Sequence, residues 1–105
     1  VDGLALSAAG DSPVVLRLAG NFPNPFNPST TIRFALPAAG PVRVTVYDLA
    51  GGRVRTLLRA TRPAGDNTVV WNGRDDAGRP VASGAYYARL EFGGTTQISK
   101  MVLLK

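Results

Sequence analysis

TTIRFALPAAGPVRVTVYD, Thr30 to Asp48, is the stretch that decides the fold. Two runs alternate apolar and polar residues with a period of two, and PAAG at 37–40 separates them. Side chains of a strand point to opposite faces in turn, so such a run buries one face and wets the other. Ile32, Phe34 and Leu36 point inward in the first run; Thr31, Arg33 and Ala35 point outward. Val42, Val44 and Val46 point inward in the second, with Arg43, Thr45 and Tyr47 outward. This is the pattern of half-buried antiparallel strands.

The same reading extends in both directions. Upstream, VVLRLA puts Leu16 and Leu18 on one face, Val15 and Arg17 on the other. Downstream come RVRTLLRA, NTVVWN with Val69 and Trp71 on one side, AYYARLEF, and TQISKMVLLK. TLLRATR has the look of a helical turn, but Thr61 and Pro63 disfavour it. In the last strand Ile98 and Val102 share parity with Lys100, while Met101 and Leu103 face the other way. That requires either a bulge near Ser99–Lys100 or cover over both faces. Turn signals separate the runs: LAGG at 49–52, RPAGD at 62–66 and a Gly93-Gly94 pair suited to a two-residue hairpin. The longest connection runs from Asn72 to Gly84.

About seven short strands at this spacing, with no convincing helix, predict an all-β fold: an Ig-like antiparallel β-sandwich without a disulfide. Trp71, Phe34, Leu90 and the inward valines fill its middle, each worth about 1.5–3 kcal/mol when fully buried. Residues 1–13, rich in Gly, Ala and Ser, read as a linker with a possible short edge strand at Leu4–Leu6, and 14–105 as the domain. The chain starts at Val1 rather than Met and reads as a piece of something longer.

Composition narrows the chemistry. At 105 residues and 45% hydrophobic, the chain suits one domain with its own core. It has no cysteine and no histidine. Thiolate metal sites, Ser-His-Asp and Cys-His catalysis are therefore closed to it. Catalysis and a cofactor are not expected. The net charge of +5 comes mostly from arginines scattered singly along strands, which suits solvated faces rather than a nucleic-acid footprint. No apolar run approaches the roughly 20 residues of a membrane helix.

Candidate sites are few. RDDAGR places Asp75 and Asp76 side by side, a poor match to a calcium loop and a good one to an Asx turn. Adjacent carboxylates in one loop also fail to flank a sugar ring as glycosidase chemistry requires. Of the aromatics, Trp71 and Tyr86 have core parity; Tyr47 and Tyr87 look exposed and could stack a sugar. The remaining oddity is NFPNPFNP at 21–28. Pro23, Pro25 and Pro28 stiffen the approach to the strand at Thr30. Phe22 and Phe26 can plug the open end of the sandwich, and Asn24 and Asn27 can bond nearby backbone.

These residues carry a resemblance over about 20–105. NPFNP at 24–28, VYDLAGGRVRTL, GAYYARL and the closing SKMVLLK resemble the C-terminal sorting domain (type A) of the type IX secretion system. The middle is also similar to the Ig-like domain of the flagellar hook-capping protein. The resemblance implies a sorting signal carried by Pro23, Asn24, Pro25, Phe26, Asn27 and Pro28, by Gly84 and Tyr86, and by Lys100, Val102 and Lys105. MVLLK has one Leu more than the shortest form of the ending. The resemblance further implies a passenger N-terminal to this chain and export through the periplasm to the cell surface. Its partners there are an outer-membrane translocon and a sortase-like peptidase, the domain being monomeric and not membrane-inserted.

Edge strands carry unpaired backbone groups, so a receptor adding a strand to the C-terminal strand fits that role. Two other readings belong to different classes. One is a carbohydrate- or surface-binding accessory module using Tyr47 and Tyr87. The other is a structural Ig-like spacer.

Overall fold

The computed structural model describes residues 15–105, so the expected linker and the strand at Leu4–Leu6 lie outside the described residues. Seven strands are present among the described residues. They are β1 (Arg17–Phe22), β2 (Thr30–Leu36), β3 (Gly40–Asp48), β4 (Arg53–Arg62), β5 (Gly65–Trp71), β6 (Gly84–Phe92) and β7 (Thr95–Leu103). No described residue is helical, so TLLRATR is strand.

The strands form two antiparallel sheets, β1-β2-β5 and β4-β3-β6-β7. In the constant-type Ig sandwich the fourth strand joins the first sheet. Here β4 stays hydrogen-bonded to β3 and gives a three-on-four sandwich. The period-two pattern explains the layers: Ile32, Phe34 and Leu36 from one sheet meet Val42, Val44, Val46 and Leu90 from the other, all buried. Trp71 is fully buried at the end of β5. Leu16, Leu18 and Val69 pack against this core from its margin.

Irregularities sit on the outer strands. The β1–β2 register shifts between Leu18 and Gly20, and the β3–β4 register shifts between Val44 and Thr45 and again between Val46 and Tyr47. Bulges of this kind twist an edge strand and discourage further pairing. The β6–β7 register, by contrast, runs unbroken from Gly84↔Leu103 to Phe92↔Thr95, so no bulge lies at Ser99–Lys100. Met101 and Leu103 face the core while Val102 is half-buried on the other side. Gly93 and Gly94, both with positive φ, close that hairpin as expected.

Two orientations differ from the alternation. Thr45 has outward parity yet is only 4% exposed. It lies between Arg43 and Tyr47 and opposite Arg89, and these long side chains account for its cover. Phe22 is 77% exposed and plugs nothing; Phe26 alone, at 2%, seals that end. Phe22 is held in β1 opposite Thr31, on the outer side of the sheet.

Candidate functional site

The expected signal residues lie far apart in sequence, and the fold brings the two ends together at one corner. Asn24 and Phe26 lie along the outer edge of β7, where Phe26 forms a parallel bridge with Leu103. Phe26 donates its N–H to the Val102 carbonyl at 2.9 Å, and Leu104 donates its N–H to the Phe26 carbonyl at 3.0 Å. Val102 donates its own N–H to Asn24 Oδ1 at 3.0 Å. The Asn24 side chain thus bonds the far end of the chain rather than nearby backbone. Pairing of this kind satisfies groups that a bare edge strand leaves open.

The segment is itself braced. The Thr30 hydroxyl donates to the Pro23 carbonyl at 2.8 Å and accepts from Asn21 Nδ2 at 3.1 Å. The three X–Pro peptide bonds at Pro23, Pro25 and Pro28 are cis. Beneath, the Phe26 ring meets Trp71 at 5.5 Å, and Trp71 meets Tyr86 edge-on at 5.2 Å. Such aromatic pairs add about 0.5–1.5 kcal/mol beyond burial. The Trp71 indole N–H donates to the Arg74 carbonyl and the Tyr86 hydroxyl to the Ala82 carbonyl, so neither polar tip is buried unpaired. Burial, and secondarily the charge of Asp48, pushes the Tyr86 phenol above its ordinary value.

Close backbone approach fixes the next loop. Gly73 has φ +73°, and a Cβ there would stand 2.9 Å from the Pro28 carbonyl oxygen. Lys105 donates its N–H to Ser83 Oγ at 2.9 Å, which ties the chain beyond β7 to the turn before β6.

The remaining expected residues divide. Gly84 opens β6 opposite Leu103, and Tyr86 pairs with Met101. Phe26 and Tyr86 are core residues whose role at the corner is support. Pro25 and Asn27 are exposed. Lys100 stands apart from the corner, exposed on the outer sheet face opposite Tyr87. Thr30, Ser83 and Leu104 were not singled out from the sequence. Leu104, 55% exposed, could have been suspected as an apolar residue beyond the last strand; the roles of Thr30 and Ser83 rest on tertiary contacts alone.

Chemistry elsewhere is sparse. Asp75 Oδ1 accepts from the N–H groups of Ala77 and Arg79 at 2.9 Å each, the expected Asx turn. The Arg79 N–H is the main cause that lowers the Asp75 pKa; the Ala77 N–H and the Arg79 charge add to it, and desolvation opposes it. Asp76 accepts from the Thr56 N–H and lies 3.6 Å from Arg53. No group of three or more metal-ligating side chains occurs among the described residues. No helix among them is long and apolar enough to cross a membrane.

The profile of the FlgD Ig-like domain family matches residues 26–94. The chain belongs to that family. Among solved structures, FlgD from Xanthomonas campestris, described in terms of hook capping in flagellar assembly, is 26% identical with a TM-score of 0.60, over 84% of this chain and 64% of that one. PorU from Porphyromonas gingivalis is 23% identical with a TM-score of 0.65, over 99% of this chain and 10% of that one. PorZ from the same organism, a surface component of its type-IX secretion system, is 22% identical with a TM-score of 0.53, over 81% of this chain and 11% of that one. The chain spans about a tenth of PorU and PorZ and under two-thirds of FlgD. No curated protein matches significantly. The FlgD Ig-like match ends before β7 and begins at Phe26, so it leaves out Asn24, Val102 and Lys105 of the corner.

Proposed function

We propose that this Ig-like domain is a non-catalytic C-terminal sorting module of the type IX secretion route. It directs a passenger across the outer membrane to the cell surface. The outer-membrane translocon reads it, and a sortase-like peptidase acts after it. One observation carries the reading: the opening motif and the closing motif are hydrogen-bonded to each other through Asn24, Phe26, Val102 and Leu104. A signal split between two ends of a sequence works as one epitope only when the fold joins them. PorZ, a surface component of that system, contains the same fold.

The corner changes how recognition would work. The end of β7 is already paired by Phe26, so a receptor does not extend the sheet there. It reads instead a rigid composite surface of Pro23, Asn24, Pro25 and the chain after Val102.

The test is delivery of a reporter fused ahead of the chain in a bacterium with this route. Removing KMVLLK would strip the fully buried Met101 and Leu103 from the core, so failure there would report unfolding as readily as loss of a signal. Lys105→Ala, at an exposed residue of the corner, keeps the core. Its reporter is expected to stay in the periplasm, and full surface delivery would rule the reading out.

The family supports a second reading, an Ig-like spacer in an extracellular assembly. A spacer tolerates a tag fused after Lys105, whereas a sorting module loses delivery when that end is extended.

A further inference from the structure

A hollow of about 430 Å³ opens on the outer face of the four-stranded sheet, between Tyr47, Asp48, Leu49, Tyr87, Arg89 and Ile98. Tyr47 and Tyr87 are cross-strand partners on β3 and β6, the two central strands. Both are half-buried. Leu49 and Ile98 at the rim are 73% and 63% exposed. The Arg89 guanidinium lies 5.8 Å from the centre of the Tyr47 ring. Its Nε is 2.8 Å from Glu91 Oε2, an ion pair on the same sheet face.

Acidic and basic groups both border the hollow, and they differ in what holds them. Lys100 lies opposite Tyr87 and is exposed, and no carboxylate among the described residues pairs with it. Glu91 is shared between Arg43 at 2.7 Å and Arg89. Asp48 Oδ1 accepts from the N–H groups of Ala50 and Gly52. Both acids are engaged, whereas Lys100 has no ion-pair partner among the described residues.

We infer that this hollow binds an acidic saccharide. The tyrosines and Ile98 offer an apolar floor to the C–H face of a sugar ring, and the phenol tips can meet its hydroxyls. Arg89 and Lys100 take the carboxylate or phosphate, Arg89 through a planar fork suited to it. An acidic peptide fits less well. β3 and β6 are paired on both sides, so no backbone edge is free to align an extended chain. This site is separate from the β7 corner and does not rest on the sorting reading.

Isothermal titration of the full 105-residue chain with oligogalacturonate tests it. Saturable binding is expected, weakened about tenfold by Tyr87→Ala and by Arg89→Gln, with circular dichroism unchanged. Arg17→Gln removes the same charge from the other sheet and is expected to bind as the parent does. Three results would overturn the inference: no saturable binding, equal weakening by Arg17→Gln and Arg89→Gln, or equally tight binding of oligoglutamate. The second reduces the attraction to net charge, and the third assigns the hollow to acidic peptides.

Discussion

Val102 donates its backbone N–H to the Asn24 side chain at 3.0 Å, across 78 residues of chain. The bond closes the sandwich at the point where the last strand would otherwise end open. Asn24→Ala removes the acceptor and leaves that N–H to water. A loss of about 0.5–1.5 kcal/mol in urea unfolding is expected. Asn24→Asp keeps an acceptor oxygen and should retain most of that stability; an equal loss in both variants would count against the bond.

Phe22 and Phe26 look alike in sequence and differ in place. Phe26→Ala empties a buried site against Trp71 and should cost about 3–5 kcal/mol. Trp71 fluorescence should shift to the red as water reaches the ring. Phe22→Ala, at a residue already 77% exposed, should stay within about 0.5 kcal/mol of the parent. Thermal unfolding of the two variants side by side decides it.

That contrast marks how far the sequence could be read. Period-two alternation located the strands and the core, because burial of one face is written locally at Ile32, Phe34, Val42, Val44 and Trp71. Parity also put Met101 and Leu103 on one face of β7 without saying which face is inward; the structure buries that face. The alternation predicted a bulge or two covered faces in β7, and neither holds. The register is unbroken and the outer face stays open at Ile98 and Lys100, while β1 and Asn24–Phe26 reach the strand from distant parts of the chain. Gln97 shows the same thing: its amide bonds the Leu16 carbonyl and the Leu18 N–H of β1. Such contacts depend on how distant segments meet, and spacing holds no trace of them. The burial of Thr45 and the exposure of Phe22 escaped for the same reason.

Gly73→Ala tests the packing of the loop under the corner. The new Cβ would press on backbone at Pro28, and an L-residue at φ +73° is strained besides. A loss of about 1–3 kcal/mol is expected. Gly78→Ala, where φ is +81° but nothing lies within 4 Å, carries only the backbone penalty and should cost less. Equal losses would mean that contact with Pro28 contributes nothing.

Asp75 sets an acid-side prediction. Its carboxyl pKa is lowered in the folded state, chiefly by the Arg79 N–H, so its contribution is present above the unfolded value and fades as pH falls through the folded one. Unfolding midpoints of the parent should therefore fall more steeply than those of Asp75→Asn as pH drops below the ordinary 3.8. Parallel curves for the two would show that the turn is indifferent to the charge.

Tyr86 sets the matching prediction at high pH, with the opposite sign. Burial favours its neutral form and Asp48 repels the phenolate, so the folded value lies above the ordinary 10.0. The folded state then holds the proton more tightly than the unfolded chain. Its contribution is complete below pH 10.0 and is lost as pH rises through the folded value. Tyr86→Phe should lower stability at neutral pH by about 0.5–1.5 kcal/mol, because the bond to the Ala82 carbonyl is gone. The same variant should lose less than the parent on going to high pH, since it has no buried phenol to ionise. The difference between the two unfolding curves measures this group alone, because the rest of the chain is common to both proteins. A constant gap from neutral to alkaline pH would show that Tyr86 ionises without opening the core around Trp71.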